Sequence, residues 1–265
     1  MSSLPQLHQI STHNRREIAF DAVCEAEAKS GTRRSTSHAR SAFYTRFGKP
    51  VFDIVVAAAA LVVAGPVLLL CAVAVRLESR GPVFFRQWRI GQNGKPFQVI
   101  KLRTMIHGAD KQGPKITASG DRRITRVGGF LRRTKLDELP QLLNVLRNEM
   151  SLVGPRPEVP EYTLKYSLAE RKVLDVKPGI TGPASLAHIN EEQLLASRTD
   201  KEHFYVTTIM RRKLQLDLAY CREMSFSEDL KNILQTAGAL FASEDFRSKS
   251  MKSRASCDQV DGAPR

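Results

Sequence analysis

The sequence predicts an α+β fold, mainly helical, built from a membrane helix-break-helix, a small β-hairpin and interfacial amphipathic helices. Three observations carry that expectation. Ile54–Val75 is an uncharged apolar run, and at about 1.5 Å rise per residue a helix of this length reaches across a bilayer core of about 30 Å. Two runs rich in β-branched and aromatic residues flank Gln92-Asn93-Gly94, the pattern of a hairpin or a closely related turn. Beyond Ile124, apolar residues recur mainly at helical spacing.

The apolar run has two features that bear on how it meets a membrane. Gly65-Pro66 lies near its middle, where proline removes a backbone hydrogen bond and opposes a straight helix. Basic residues lie on both sides: Arg40, Arg46 and Lys49 before it, Arg76, Arg80, Arg86 and Arg89 after it. Lys and Arg next to membrane helices stay on the cytoplasmic side, so a simple span would export one cluster. A helix that breaks at Pro66 and returns to the face it entered satisfies both constraints. The residues leave span and re-entrant wedge open, with the wedge preferred.

Composition narrows the partners. The chain has 265 residues, 42% hydrophobic and 26% charged, with a formal net charge of +14, so anionic partners are expected: nucleic acid, lipid headgroups or phosphorylated small molecules. The apolar run favours a membrane surface, where each adjacent basic residue gains about 1 kcal/mol from anionic lipid. Cys24, Cys71, Cys221 and Cys257 are scattered without metal-ligand spacing, which argues against a zinc site or a disulfide framework. The chain start lacks the apolar core of a secretory signal. Four regions follow: a basic tail over 1–45, where a short helix over Arg16–Ala28 competes with a mobile segment; a membrane hairpin over 46–80; a folded domain over 81–242; and a polar tail over 243–265.

Within the domain, Phe97, Val99, Lys101 and Arg103 share one face of the second hairpin strand by the period of two. The two cations finishing that face mark either an anionic site or ordinary solvated charge. A polar loop, His107–Gly120, leads to a helical segment, Ile124–Leu131, interrupted at Gly128-Gly129 and ringed by Arg122, Arg123, Arg126, Arg132 and Arg133. Next, Asp137 and Glu138 precede Pro140 and an apolar run, the setting of a helix N-terminus. Acids there are commonly caps. Beside several arginines and a metal, one carboxylate can instead act as nucleophile or metal ligand while its neighbour orients it or handles a proton.

Prolines bracket Arg156 in Ser151-Leu-Val-Gly-Pro-Arg-Pro157. They restrict the backbone, and a guanidinium fork matches phosphate oxygens. Lys177-Pro-Gly-Ile-Thr-Gly-Pro183 is a second such loop. Glu158–Val176 reads as helical and Glu191–Tyr220 as a long, interrupted helix. The stripe Phe226, Leu230, Ile233, Leu234, Ala237 and Phe241 belongs either to the core or to a membrane interface.

In combination these motifs resemble a known family. GPVFFRQWRIGQNGKPFQVIKLRTM, ITRVGGFLRRTKLDELPQLLNVLRNEMSLVGPRPE and VKPGITG, with Leu216-Asp217-Leu218-Ala219-Tyr220 and Ser227–Thr236, cover about Phe47–Leu240 in order. They are similar to the bacterial sugar transferases, the monotopic polyprenyl-phosphate phosphoglycosyl transferases, in their small catalytic form. The resemblance implies transfer of sugar-1-phosphate from a nucleotide diphosphate sugar, usually a UDP-sugar, to polyprenyl (undecaprenyl) phosphate, with release of UMP, as the first step of surface-glycan assembly. It implies Asp137 as the nucleophile, Glu138 as its dyad partner, Mg²⁺ as cofactor with Asp137 as a ligand, and Lys101, Arg132 and Arg156 as phosphate-binding or supporting cations; Arg103 joins them as a candidate from its place on the Lys101 face of the strand. It also makes Gly65-Pro66 the break of a re-entrant helix at the bacterial inner membrane, with the catalytic domain in the cytoplasm. Implied partners are the nucleotide sugar, polyprenyl phosphate and anionic lipids, and also a homo-oligomer or glycan-pathway enzymes. The sequence departs from the usual pattern at Pro183-Ala184-Ser185-Leu186, which leaves sugar and nucleotide preference open.

Two other classes compete. A catalytically silent membrane scaffold would keep the fold without needing the Asp-Glu pair and its cations. A membrane-tethered nucleic-acid binder would use the positive charge, but the sequence carries no motif that reads nucleic acid.

Overall fold

A computed structural model describes residues 43–109, 120–188, 191–196 and 199–239. Residues 1–42 of the tail expected over 1–45, the tail over 243–265 and most of the loop before Gly120 lie outside the described residues; residues 43–45 are already helical.

The dominant element is α1, Lys49–Glu78, preceded by a π-helical turn over Tyr44–Gly48. Helical geometry runs through Gly65 and Pro66 without interruption, although the proline removes the bond its N–H would give to the Val62 carbonyl. By length and composition α1 is long and apolar enough to cross a membrane. Its middle faces outward: Val62 and Val63 are more than three-quarters exposed, and Leu69 and Leu70 about two-thirds. Ten large exposed apolar side chains on one helix are costly in water and favourable in lipid.

Both ends of α1 are bound to one folded body. At the N-terminal end Lys49 pairs with the fully buried Asp229 at 2.5 Å, which also accepts hydrogen bonds from Tyr44 at 2.6 Å and Tyr220 at 2.5 Å. Asp53 Oδ1 accepts the Leu152 N–H at 3.3 Å. At the C-terminal end Val75 is buried, and Glu78 accepts the Val127 N–H through both carboxylate oxygens at 3.1 Å.

The body begins with the expected hairpin. Strand β1, Phe84–Ile90, pairs antiparallel with β2, Pro96–Leu102, in the register Phe84↔Leu102 to Ile90↔Pro96. Asn93 takes the left-handed conformation in the turn, φ 55°. Residues facing one another across the pair share a face, so Phe85, Gln87 and Arg89 lie beside Lys101, Val99 and Phe97. Helix α2, Arg126–Thr134, follows; Thr125 caps it by accepting the Gly128 N–H at 3.0 Å. The interruption expected at Gly128-Gly129 does not occur. A Cβ at Gly128 would stand 2.0 Å from the Thr104 carbonyl oxygen, so this glycine serves the close approach of helix to strand rather than a break in the helix.

Asp137 and Glu138 lie in a 3₁₀ turn, Leu136–Gln141, ahead of the short helix α3, Leu142–Leu146. The helix expected to start around them begins later, and neither side chain caps it. The next two motifs, read as loops, contain a parallel strand pair: β3, Ser151–Val153, against β4, Gly179–Thr181. Strands of three residues cannot be read from periodicity. The helix expected over Glu158–Val176 is confined to α4, Pro160–Thr163, and a 3₁₀ turn, Glu170–Asp175.

Short α5, Pro183–Ala187, and α6, Glu191–Ala196, come next. The expected long, interrupted helix then runs as α7, Lys201–Phe204, a π-turn, Tyr205–Ile209, and α8, Met210–Glu223. A final helix, α9, covers 226–239. Its stripe divides: Phe226, Leu230 and Leu234 are exposed, while Ile233 packs partly buried on the core. That core joins Phe97, Val99, Leu142, Val145, Met150, Leu152, Val153 and Tyr220 to Ala57 of α1, with Phe52, Val56, Ala60 and Leu61 packed around it. The first half of the apolar helix is therefore part of the body that carries the site.

Candidate active site

Backbone turns place the acidic pair. Helix α2 ends at Lys135, whose left-handed backbone, φ 58°, reverses the chain into the 3₁₀ turn. The turn packs against β2, and that contact brings Glu138 to Lys101. Asn144 of α3 fixes β2 to the turn. Fully buried, it donates to the Gln98 carbonyl and the Glu149 carboxylate, each at 2.7 Å, and accepts the Ile100 N–H at 3.1 Å.

Glu138 is gripped from two sides: its Oε1 is 2.7 Å from Lys101 Nζ and 2.8 Å from Arg156 Nη2. Burial pushes its carboxyl upward, but Arg156 and Lys101 outweigh that and hold it well below the ordinary carboxylate range. Glu138 is an anion throughout the neutral range and has no proton to give.

Asp137 is in the opposite situation. It is 7% exposed, and its Oδ1 is buried without a hydrogen-bond partner. Burial raises its pKa and the Glu138 charge adds to the rise, against the pull of Lys101, Lys135 and Arg132. A buried carboxylate oxygen with no hydrogen-bond partner attracts a hard cation or an electrophilic phosphorus.

Arg156 reaches Glu138 from a rigid frame. Gly154 N–H donates to the Thr181 carbonyl and Gly179 N–H to the Pro155 carbonyl, both at 2.9 Å. The loops interlock at their glycines: a Cβ on Gly179 would stand 2.1 Å from Gly154 N, and one on Gly182 would stand 2.4 Å from Gly154 O. The Lys-Pro-Gly-Ile-Thr-Gly motif is thus a buttress for the Arg156 loop, and its own cation, Lys177, bonds Asn148 instead. On the other side Arg89 donates to the Pro157 carbonyl at 2.9 Å and pairs with Glu158 at 3.7 Å, while Gln87 orients its guanidinium.

Of the expected site residues, Asp137, Glu138, Lys101 and Arg156 are brought together. Arg132 donates through Nε to Thr104 Oγ1 at 2.9 Å and acts on Asp137 by its charge. Arg103 is not brought to the carboxylates. Pairing ends at Leu102, one residue earlier, and its guanidinium is bonded to the Val75, Ser79 and Pro82 carbonyls. Sequence reasoning missed Arg89, Asn144 and Asp217. The alternation that singled out Lys101 would have placed Arg89 on the same face once the strands were registered. Asn144 carries no local signal, and Asp217 lies in one of the stretches that carry the resemblance without a role attached to it. Asp217 of α8 is buried with Oδ1 unpartnered, and its pKa is pushed up to about 8 by burial, with opposition from Lys213 and from the Arg156 and Ala184 main-chain N–H groups.

Among the described residues no three His, Cys, Asp or Glu side chains cluster as a metal cage. The donor set still fits Mg²⁺, which typically takes one or two carboxylates and fills its remaining positions with water and substrate phosphate. The unpartnered Asp137 Oδ1 is the oxygen such an ion would engage.

Comparison with known proteins identifies the family. The family model described as bacterial sugar transferase matches residues 44–243. A UDP-glucose:undecaprenyl-phosphate glucose-1-phosphate transferase of Caulobacter vibrioides is 40% identical over 210 residues, 74% of this chain and 71% of that protein. Its Escherichia coli namesake is 43% identical over 195 residues, 72% of this chain but only 39% of the relative. A UDP-N-acetylgalactosamine-undecaprenyl-phosphate N-acetylgalactosaminephosphotransferase of Aeromonas hydrophila is 38% identical over 153 residues, 54% of this chain and 34% of that protein. The match starts at Tyr44, takes in α1 and every residue of the carboxylate site, and extends past α9: the chain belongs to the bacterial sugar transferase family.

Proposed function

We propose that this chain transfers sugar-1-phosphate from a UDP-sugar to undecaprenyl phosphate in two covalent steps at Asp137. In the first step an Asp137 carboxylate oxygen bonds to the phosphorus that carries the sugar, and the bond from that phosphorus to the bridging oxygen breaks, releasing UMP. In the second, a phosphate oxygen of undecaprenyl phosphate attacks the same phosphorus, the bond to Asp137 breaks, and the carboxylate is restored. Neither step needs a proton donor, consistent with a Glu138 that stays ionised.

The observation that carries this reading is the contrast within the acidic pair. Glu138 takes up Lys101 and Arg156 and fixes both cations at the dyad, where Lys101 also acts on Asp137 by its charge, while Asp137 Oδ1 remains unpartnered. Two anions approach each other in the first step, so cations already in place lower its barrier without reorganisation. Mg²⁺ held by Asp137 and the diphosphate would supply further charge neutralisation when bound.

The same reading places α1 as a re-entrant wedge in the bacterial inner membrane, one that would bend at Pro66 while keeping helical geometry there, with the domain in the cytoplasm. Its support is the attachment of both helix ends to one body and the exposure of the apolar middle. The exposed Phe226, Leu230 and Leu234 of α9 suit an interfacial helix, and the net charge of +14 suits anionic lipid. A wedge lets the dyad meet a lipid-borne phosphate at headgroup depth. A homo-oligomer or other glycan-assembly enzymes complete the proposed partners.

The test is full-length protein in lipid nanodiscs with undecaprenyl phosphate, Mg²⁺ and UDP-glucose or a UDP-N-acetylhexosamine. UMP release and a labelled lipid product are expected with at least one donor; release with none overturns the reading.

A further inference from the structure

Arg103 was expected at the anionic site and is found elsewhere, in a position that has its own consequence. Its side chain is almost wholly buried. Nη2 donates to the Ser79 carbonyl at 2.7 Å, Ser79 Oγ at 2.9 Å and the Val75 carbonyl at 3.3 Å, and Nη1 donates to the Pro82 carbonyl at 2.5 Å. Val75 and Ser79 are the last turn and C-cap of α1. One guanidinium therefore gathers three carbonyls at and just beyond the end of the apolar helix, where the helix dipole also favours a cation.

A helix end that required only capping would not need this arrangement. A left-handed glycine satisfies last-turn carbonyls locally, whereas the Ser79 and Pro82 carbonyls lie at and beyond the cap. Here a full charge is buried instead, with Nε left unpartnered. What the arginine adds is a connection: it lies two residues from Lys101, which holds Glu138, and one from Thr104, which receives Arg132. The segment Lys101–Thr104 thus joins the cations around the dyad to the C-terminal end of the membrane helix.

We propose that Arg103 is a positioning residue that sets the height of the dyad relative to the lipid, so that it governs the step with the lipid-borne acceptor and not the step with the water-borne donor. The inference rests on the two-step reading above. The nucleotide sugar reaches Asp137 from solution and needs only the local cations. The acceptor phosphate is confined to headgroup depth, and a body that shifts on α1 presents Asp137 above or below it.

Gly81 provides a way to disturb the clamp without removing its charge. At φ +121° a substituent there is strained, and a Cβ would stand 2.5 Å from Arg103 Nη1. Arg103→Lys, Arg103→Gln and Gly81→Ala are compared with wild type as full-length protein in nanodiscs with Mg²⁺. The first step is read as exchange of labelled UMP into UDP-sugar without acceptor, and the second as turnover with undecaprenyl phosphate. Exchange is expected to stay within about twofold, while turnover falls about tenfold or more and KM for undecaprenyl phosphate rises, since ångström-scale misplacement of reacting groups carries losses of that order. Gly81→Ala must reproduce the effect, and it supplies the result if the Arg103 variants do not fold. Parallel loss of exchange and turnover overturns the proposal, because it places Arg103 in the donor site or in general stability; no loss in either overturns it as well. If wild type releases no UMP from any donor, the functional reading itself has failed, an outcome separable from equal behaviour of variants and an active wild type.

Discussion

Asp137 and Glu138 are adjacent in the chain and opposite in electrostatic state: Glu138 Oε1 lies within 2.8 Å of both Lys101 and Arg156, while Asp137 Oδ1 is buried with no partner at all. The pair divides the work, one carboxylate holding the cations and the other left available for chemistry.

Replacing the reactive member separates chemistry from stability. Asp137→Asn is expected to reduce UMP release by at least about 10³-fold, since an amide cannot form the phosphoryl ester. The fold should be retained or gain stability, because the change removes a carboxylate that burial and the Glu138 charge disfavour. The sign follows from linkage. The folded pKa of Asp137 is raised above 3.8, so the native state binds the proton more tightly, and stability falls as pH rises through the window above that value. Urea midpoints measured against pH should show this slope in wild type relative to Asp137→Asn.

Glu138→Gln should do the reverse. It leaves Lys101 and Arg156 facing each other without their anion, at a site between fully buried and exposed, and should cost about 2–3 kcal/mol. The folded pKa of Glu138 is depressed below 4.5. Its contribution is present above that value and is lost as pH falls through the folded pKa. Acid titration of wild type and variant, followed by circular dichroism, should converge at low pH; a constant difference would remove Glu138 as the cause.

The glycine interlock gives a prediction with no charge in it. Gly179→Ala drives a Cβ to 2.1 Å from Gly154 N and 2.5 Å from the Thr181 carbonyl oxygen, both backbone atoms that cannot rotate away. Overpacking of this kind costs about 1–3 kcal/mol, and activity should fall further than stability because the Arg156 loop loses its register. Urea midpoint and UMP release in the same preparation test the difference.

The disposition of α1 is open to labelling. In a background lacking Cys24, Cys71, Cys221 and Cys257, Thr45→Cys and Arg80→Cys should both react with an impermeant thiol reagent from the cytoplasmic face and neither from the outside. Labelling from opposite faces would make α1 a span.

Sequence by itself determined the elements whose signal is local. The apolar run of α1, the hairpin around Asn93 and the helical stretch before the acidic pair each follow from periodicity and turn chemistry within a few residues. The motif resemblance named Asp137, Glu138, Lys101 and Arg156 together, and the structure assembles those four. Tertiary structure alone decided what the neighbouring residues do. Gly128 and Gly179 read as helix breaker and loop residue, yet each exists for a contact with a distant backbone. Arg103 shares the alternation of Lys101 but lies past the end of the strand pairing, where the carbonyls of a helix that ended 25 residues earlier, at Glu78, are nearer than any substrate. Asn144 and Asp217 act through partners set by packing. Period and propensity describe a residue's own segment, whereas the partner of a buried polar group is chosen by whichever segment folds against it.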